Sequence, residues 1–203
     1  MIRIRTFLLI GVIGALSFIA IGVVWLGKGG ANENNQPAVL SQTGLNFESA
    51  VGQKAPDFIL TDIEGNQVAL GNLSGRNVVF FFTEGFMCNP CFTQLLALST
   101  DERLNNNETV SFSIVVGDQE KWHNILADLP PLPPLKVLFD TEGKVSQSYG
   151  TLNLTSSMHK GLDNGHTYFI VDRQGILRFT LDDPIMGLRN DQLVAEVEKL
   201  KTQ

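Results

Sequence analysis

The pattern of apolar and polar positions divides the chain into three stretches. An uncharged apolar run from Phe7 to Leu26 opens residues 7–28, and roughly 20 helical residues at ~1.5 Å each span a ~30 Å hydrocarbon layer. Residues 29–50 are polar, rich in Asn, Gln, Ser and Gly, and hold no helical or strand period, the pattern of a tether. Periodicity sets in near Val51. Ala55–Leu60 and Gln67–Leu70 flank the turn signal Glu64-Gly65-Asn66 and predict a β-hairpin. Asn77–Phe82 is an apolar, β-branched and aromatic run, the pattern of a strand buried on both faces. After Cys88-Asn89-Pro90-Cys91, the residues Phe92, Leu95, Leu96 and Leu98 recur at near-helical spacing. Further strands are predicted at Val110–Val116 and Lys136–Phe139, with a helix over Gln119–Ala127 and a stiff proline-rich linker between them. Tyr168–Val171 and Ile176–Leu181 flank a second turn, and Asn190–Lys201 has the pattern of an amphipathic closing helix. The succession predicts an α/β domain over residues 51–203. A central mixed β-sheet is flanked by helices, with an N-terminal β-hairpin extension and one N-terminal transmembrane helix.

Charge orients this plan. Arg3 and Arg5 lie in the short tail 1–6 and only Lys28 closely follows the apolar run, so the positive-inside bias keeps the tail in the cytoplasm and puts the domain on the extracytoplasmic side of the cell membrane. The run exceeds the apolar length of a cleaved signal peptide, and no clear small-x-small site follows it. The whole chain carries a net charge of −6, and setting those three cations aside leaves the domain more acidic still. A phosphate backbone would be repelled, so no nucleic-acid partner is expected.

The chain has two cysteines, Cys88 and Cys91, three positions apart. As a structural staple, a four-residue loop would stabilise by only about 2 kcal/mol in the chain-entropy model. A structural zinc site wants four ligands, and His123, His159 and His166 are the only histidines; no metal and no organic cofactor is expected. A redox pair suits the local pattern best. Pro90 fits a first helical turn, where its missing N–H removes no intrahelical bond. Both sulfurs then sit at a helix N-terminus, whose free N–H groups and dipole favour a thiolate. Cys88, at the solvent-facing junction, is the expected attacking thiolate, and Cys91, one turn in, the resolving thiol.

A strand, a short loop, C-x-x-C at a helix start and a later hairpin and helix together resemble the thioredoxin superfamily, from about Val51 to the C-terminus. Within it, Gly52-Gln53-Lys54-Ala55-Pro56-Asp57-Phe58 and Phe169-Ile170-Val171-Asp172-Arg173-Gln174-Gly175 are similar to the alkyl hydroperoxide reductase and thiol-specific antioxidant (redoxin) branch. Membrane-tethered thiol–disulfide reductases of cytochrome maturation share that opening. The resemblance implies an oxidoreductase acting on a protein disulfide or dithiol partner, or on a peroxide. It also implies a substrate-docking segment at Gly165, His166 and Thr167, with His166 where thioredoxins carry a cis-proline. Peroxiredoxins place a threonine three residues before the first cysteine; this chain has Gly85 there and its nearest threonine is Thr83. His166 also suggests thioredoxin-like copper-binding assembly proteins, which would use Cys88, Cys91 and His166, although those proteins usually separate their cysteines by three residues.

Overall fold

The computed structural model describes residues 44–202. The transmembrane expectation for 7–28 and most of the expected tether fall outside the described residues, among which no helix is long and apolar enough to cross a membrane. The end of the expected tether lies against the domain. Asn46 caps a short 3-10 turn over Phe47–Ser49, Leu45 N–H donates to the Ser148 carbonyl at 2.7 Å, and the Phe47 ring meets Phe169 edge-on.

One seven-stranded mixed sheet organises the domain in the order β2-β1-β5-β4-β3-β6-β7. Its strands are β1 (Ile59–Asp62), β2 (Gln67–Ala69), β3 (Asn77–Thr83), β4 (Thr109–Val116), β5 (Val137–Asp140), β6 (His166–Val171) and β7 (Leu177–Asp182). Apolar from Val78 to Phe82 and buried along its whole length, β3 lies inside the sheet, covered on both faces. It pairs in parallel with β4, as β4 does with β5, while β6 and β7 add antiparallel beside it. The β1–β2 hairpin joins the other flank through β5, so the expected N-terminal extension is part of the sheet.

Strand parity sorts side chains between two apolar layers. Phe80, Phe82, Phe169 and Val171 face Phe58, Tyr149 and the N-terminal segment. Val79, Phe81, Tyr168 and Ile170 face the helices α1 (Asn89–Thr100), α2 (Gln119–Ala127) and α4 (Asn190–Lys199). The sequence pattern did not predict α3 (Lys144–Ser148). It is started by Asp140, whose carboxylate accepts the N–H groups of Val145 and Ser146.

Candidate active site

The end of β3 sets the cysteines in place. Thr83 turns its hydroxyl back to accept the Gly85 N–H at 3.2 Å, and Gly85 takes φ +64, a left-handed conformation that favours glycine. A side chain there has no room: a Cβ would stand 2.5 Å from the Trp122 ring. The ring needs that space because it packs on Phe86, centroids 4.0 Å apart, and edge-on to Phe139. Trp122, in the otherwise mostly polar helix Gln119–Ala127, is therefore buried. A 3-10 turn over Gly85–Met87 delivers the chain to α1.

Cys88 is the N-cap of α1, and its Sγ accepts the Cys91 N–H at 3.3 Å. Pro90 occupies the first turn, as its chemistry requires. The pair forms a disulfide with the Cα atoms 5.1 Å apart. Access is narrower than the sequence suggested: Cys88 is 4% exposed and Cys91 fully buried. The cover over Cys88 includes Met186, whose Sδ lies 3.7 Å from the Cys88 Sγ.

Met186 sits between β7 and α4 in the one non-glycine left-handed conformation among the described residues, φ +55. Asp183 holds it there. Its carboxylate accepts N–H groups from Ile185 and Gly187, its carbonyl accepts the Met186 N–H, and Arg189 grips it at 2.7 and 2.8 Å. The Arg189 guanidinium holds the Asp183 carboxyl below the usual carboxylate range. Beside the covered sulfur, Met87, Ile185 and Leu188 are 72%, 83% and 63% exposed. Since each belongs to a loop carrying Cys88 or Met186, the approach to the disulfide is apolar.

Of the three expected docking residues, only His166 faces the cysteine side of the sheet. It opposes Thr83 across the β3–β6 ladder, and its ring lies 4.6 Å from Phe81. Its Nε2 is 2.7 Å from the Tyr168 hydroxyl and 3.3 Å from the Gly187 carbonyl, one residue beyond Met186. Burial lowers its pKa to about 4, so the ring is neutral at pH 7. Thr167 points to the other face, toward Asp182 and Ser156. Gly165 lies against Ser156 and Ser157 so closely that a Cβ would collide with their backbone. The peptide bond before His166 is trans, like every described one.

Among the described residues, no three His, Cys, Asp or Glu side chains are grouped to hold a metal. The Cys88, Cys91 and His166 set implied by the copper-assembly resemblance is therefore not assembled, and it is Met186 that meets the sulfur of Cys88. Sequence reasoning missed Met186, 98 positions away, and no local pattern announces it. Glu84, in the loop between β3 and α1, has a sequence position typical of a solvated carboxylate. It is buried, its Oε1 is 3.2 Å from the His159 Nδ1, and its Oε2 has no hydrogen-bond partner among the described residues. Nearby, burial and the charge of Glu84 raise the Asp163 carboxyl to about 6.

Comparison with known proteins agrees with this geometry. Residues 51–180 match the AhpC/TSA family model. Alkyl hydroperoxide reductase E of Mycobacterium bovis is 34% identical over 132 residues, which are 64% of this chain and 82% of that protein. Peroxiredoxin-1 of Gallus gallus is 26% identical over 73% of this chain and 77% of its own length. The thiol-disulfide oxidoreductase ResA of Bacillus thuringiensis is 24% identical over 62% of this chain and 65% of its own, just under two thirds. Among solved structures, a reduced 2-Cys peroxiredoxin of Plasmodium vivax has the same fold, with a TM-score of 0.64 at 17% identity over 76% of this chain and 83% of that one. The family match over most of the domain, joined to a C-x-x-C disulfide at the helix start beside the central strand, makes this chain a member of the AhpC/TSA family of thioredoxin-like oxidoreductases.

Proposed function

We propose that the chain is a membrane-anchored, extracytoplasmic thiol–disulfide oxidoreductase in which Cys88 attacks and Cys91 resolves. The observation that carries this reading is the Cys88–Cys91 disulfide across the first turn of α1, with Cys88 as the helix cap. In the reducing direction, the Cys88 thiolate attacks a partner disulfide and expels one partner thiolate, leaving a mixed disulfide. The Cys91 thiolate then attacks the Cys88 sulfur and releases the second partner thiolate, so two electrons pass to the partner and the intramolecular disulfide forms. The helix N-terminus favours the Cys88 thiolate. Met186 must move aside for a partner sulfur to line up with Cys88. The apolar rim of Met87, Ile185 and Leu188, with His166 behind the Met186 loop, supports a protein segment as the substrate that docks here.

A peroxide-reducing reading is favoured by the named activities of two relatives. It is opposed by the site: the place of an activating hydroxyl is Gly85, closed by Trp122. Anchoring rests on the apolar run Phe7–Leu26 and its basic leading flank.

The purified chain, given a dithiol donor, is expected to reduce a protein disulfide faster than it consumes hydrogen peroxide, and Cys91→Ser to accumulate a mixed disulfide through Cys88. Rapid peroxide turnover by Cys91→Ser would overturn the exchange reading. Protease added to spheroplasts should digest the domain; protection would place it inside.

A further inference from the structure

Three features of the Met186 loop have no part in disulfide exchange as such. The thioether stands against the attacking sulfur; its residue is held in a backbone conformation that L-residues rarely adopt; and a half-buried ion pair, Asp183 with Arg189, maintains that conformation. Backbone strain kept in place by surrounding bonds is a mark of a side chain positioned for a purpose. Plain packing could be served by a leucine in relaxed backbone, so the purpose lies in the sulfur.

We infer that the reduced protein binds one Cu(I) ion between the thiolates of Cys88 and Cys91 and the thioether of Met186. Reduction breaks the Cys88–Cys91 bond with two electrons and two protons taken from a dithiol. Cu(I) then displaces the two thiol protons and is held by three sulfurs, without change of its oxidation state. The spacing suits a shared ion. Two sulfurs bonded to one metal at ~2.3 Å with trigonal or tetrahedral angles stand about 3.8–4.0 Å apart, and Met186 Sδ is already 3.7 Å from Cys88 Sγ. Donor chemistry selects the ion: thiolate and thioether are soft ligands that favour Cu(I), whereas Zn(II) gains little from a thioether. The setting favours charge neutralisation, because the thiolates form at a helix N-terminus, the wall beside them is made by Phe81 and Tyr168, and the Arg189 guanidinium at the loop is paired with Asp183. A pair occupied by copper cannot exchange disulfides, so the metal and the partner compete for one reduced state. The inference requires the pair to be reducible but does not rest on the exchange reading.

The test uses the full 203-residue chain, reduced with a dithiol, freed of it and loaded anaerobically with Cu(I). One ion per chain should survive a Cu(I)-specific chelator, with a thiolate-to-copper band in the near ultraviolet, and excess Zn(II) should not displace it. Met186→Leu preserves volume and removes the donor. It should weaken retention by at least the roughly 10–100-fold that loss of even an outer-shell partner costs a metal site. In selenomethionine-labelled protein, copper X-ray absorption should show a selenium neighbour that disappears in Met186→Leu, a readout independent of any change in that variant's stability. Retention unchanged in Met186→Leu, no selenium beside copper, or displacement by zinc would each overturn the site. Failure to hold copper by a protein that still exchanges disulfides overturns this inference and leaves the exchange reading standing; failure of both overturns both.

Discussion

The two faces of the central sheet are built from alternate residues of the same strands, yet they have opposite characters. One face, with Phe80, Phe82 and Phe169 packed on Phe58 and Tyr149, is a continuous aromatic layer, its ring pairs edge-to-face except for the tilted Phe82–Tyr149 pair. The Tyr149 hydroxyl within it is satisfied by donating to the Pro56 carbonyl. The other face uses Phe81, Tyr168 and Ile170 to make a floor for groups that can react or titrate: the disulfide, Met186 and His166. Because side chains alternate, a shift of one residue along β3 or β6 exchanges a packing position for a site position. Stability should therefore depend most on one parity and chemistry on the other.

The sharpest way to break this division is a pair of substitutions. Phe82→Ala removes a fully buried ring and should cost ~3–5 kcal/mol, seen as a large fall in unfolding midpoint, while the fraction still folded exchanges disulfides. Cys88→Ser should abolish exchange and lower stability only by about the 2 kcal/mol of a four-residue loop. If Cys88→Ser destabilises as much as Phe82→Ala, the cysteine face is structural and the contrast fails. A smaller effect is expected from Gly85→Thr, which restores a hydroxyl three residues before Cys88. The positive φ and the Trp122 ring should cost it ~1–3 kcal/mol, with no gain in peroxide consumption. A substantial gain in peroxide turnover would mean that the ring yields and that the peroxidase chemistry was one residue away.

Much of the packing face could be read from the sequence, and only part of the site face. Asn77–Phe82 announced the central strand by composition, and Pro90 with the apolar spacing after Cys91 announced α1. The 119–127 helix was read to its observed ends. Strand β6 begins two residues earlier than its apolar run because Thr83 and Phe82 extend the ladder to His166 and Thr167. What could not be read depends on loops meeting in space. Trp122 looked exposed in the polar helix QEKWHNILA, and is buried because Gly85 leaves a hollow for its ring. Glu84 looked solvated, and is buried with His159 brought to it from 75 positions away. Met186 has no periodic pattern around it; its placement comes from the Asp183–Arg189 clamp, which only the folded loop displays.

The smallest expected effect separates the faces by acid. His166 is held neutral by burial with its pKa lowered from 6.5 to about 4. Between those values the unfolded chain takes up a proton that the folded chain refuses, so this group's contribution is intact above about pH 6.5 and is lost as pH falls toward 4. Asp163 acts in the opposite sense. Its carboxyl is raised to about 6 from 3.8, so the folded chain binds a proton there that the unfolded chain does not, and this contribution grows as pH falls from 6 toward 3.8. The two partly cancel, which predicts a shallow decline in unfolding midpoint for the unaltered protein between pH 6.5 and 4. His166→Gln should remove the decline or reverse it, and Asp163→Asn should steepen it. Phe82→Ala should lower the whole curve with its slope unchanged, because the ring it removes carries no titratable group. Midpoints measured at pH 7 and pH 4.5 on the three variants decide the matter: a slope that follows Phe82 rather than His166 would show that the acid response belongs to the packing face.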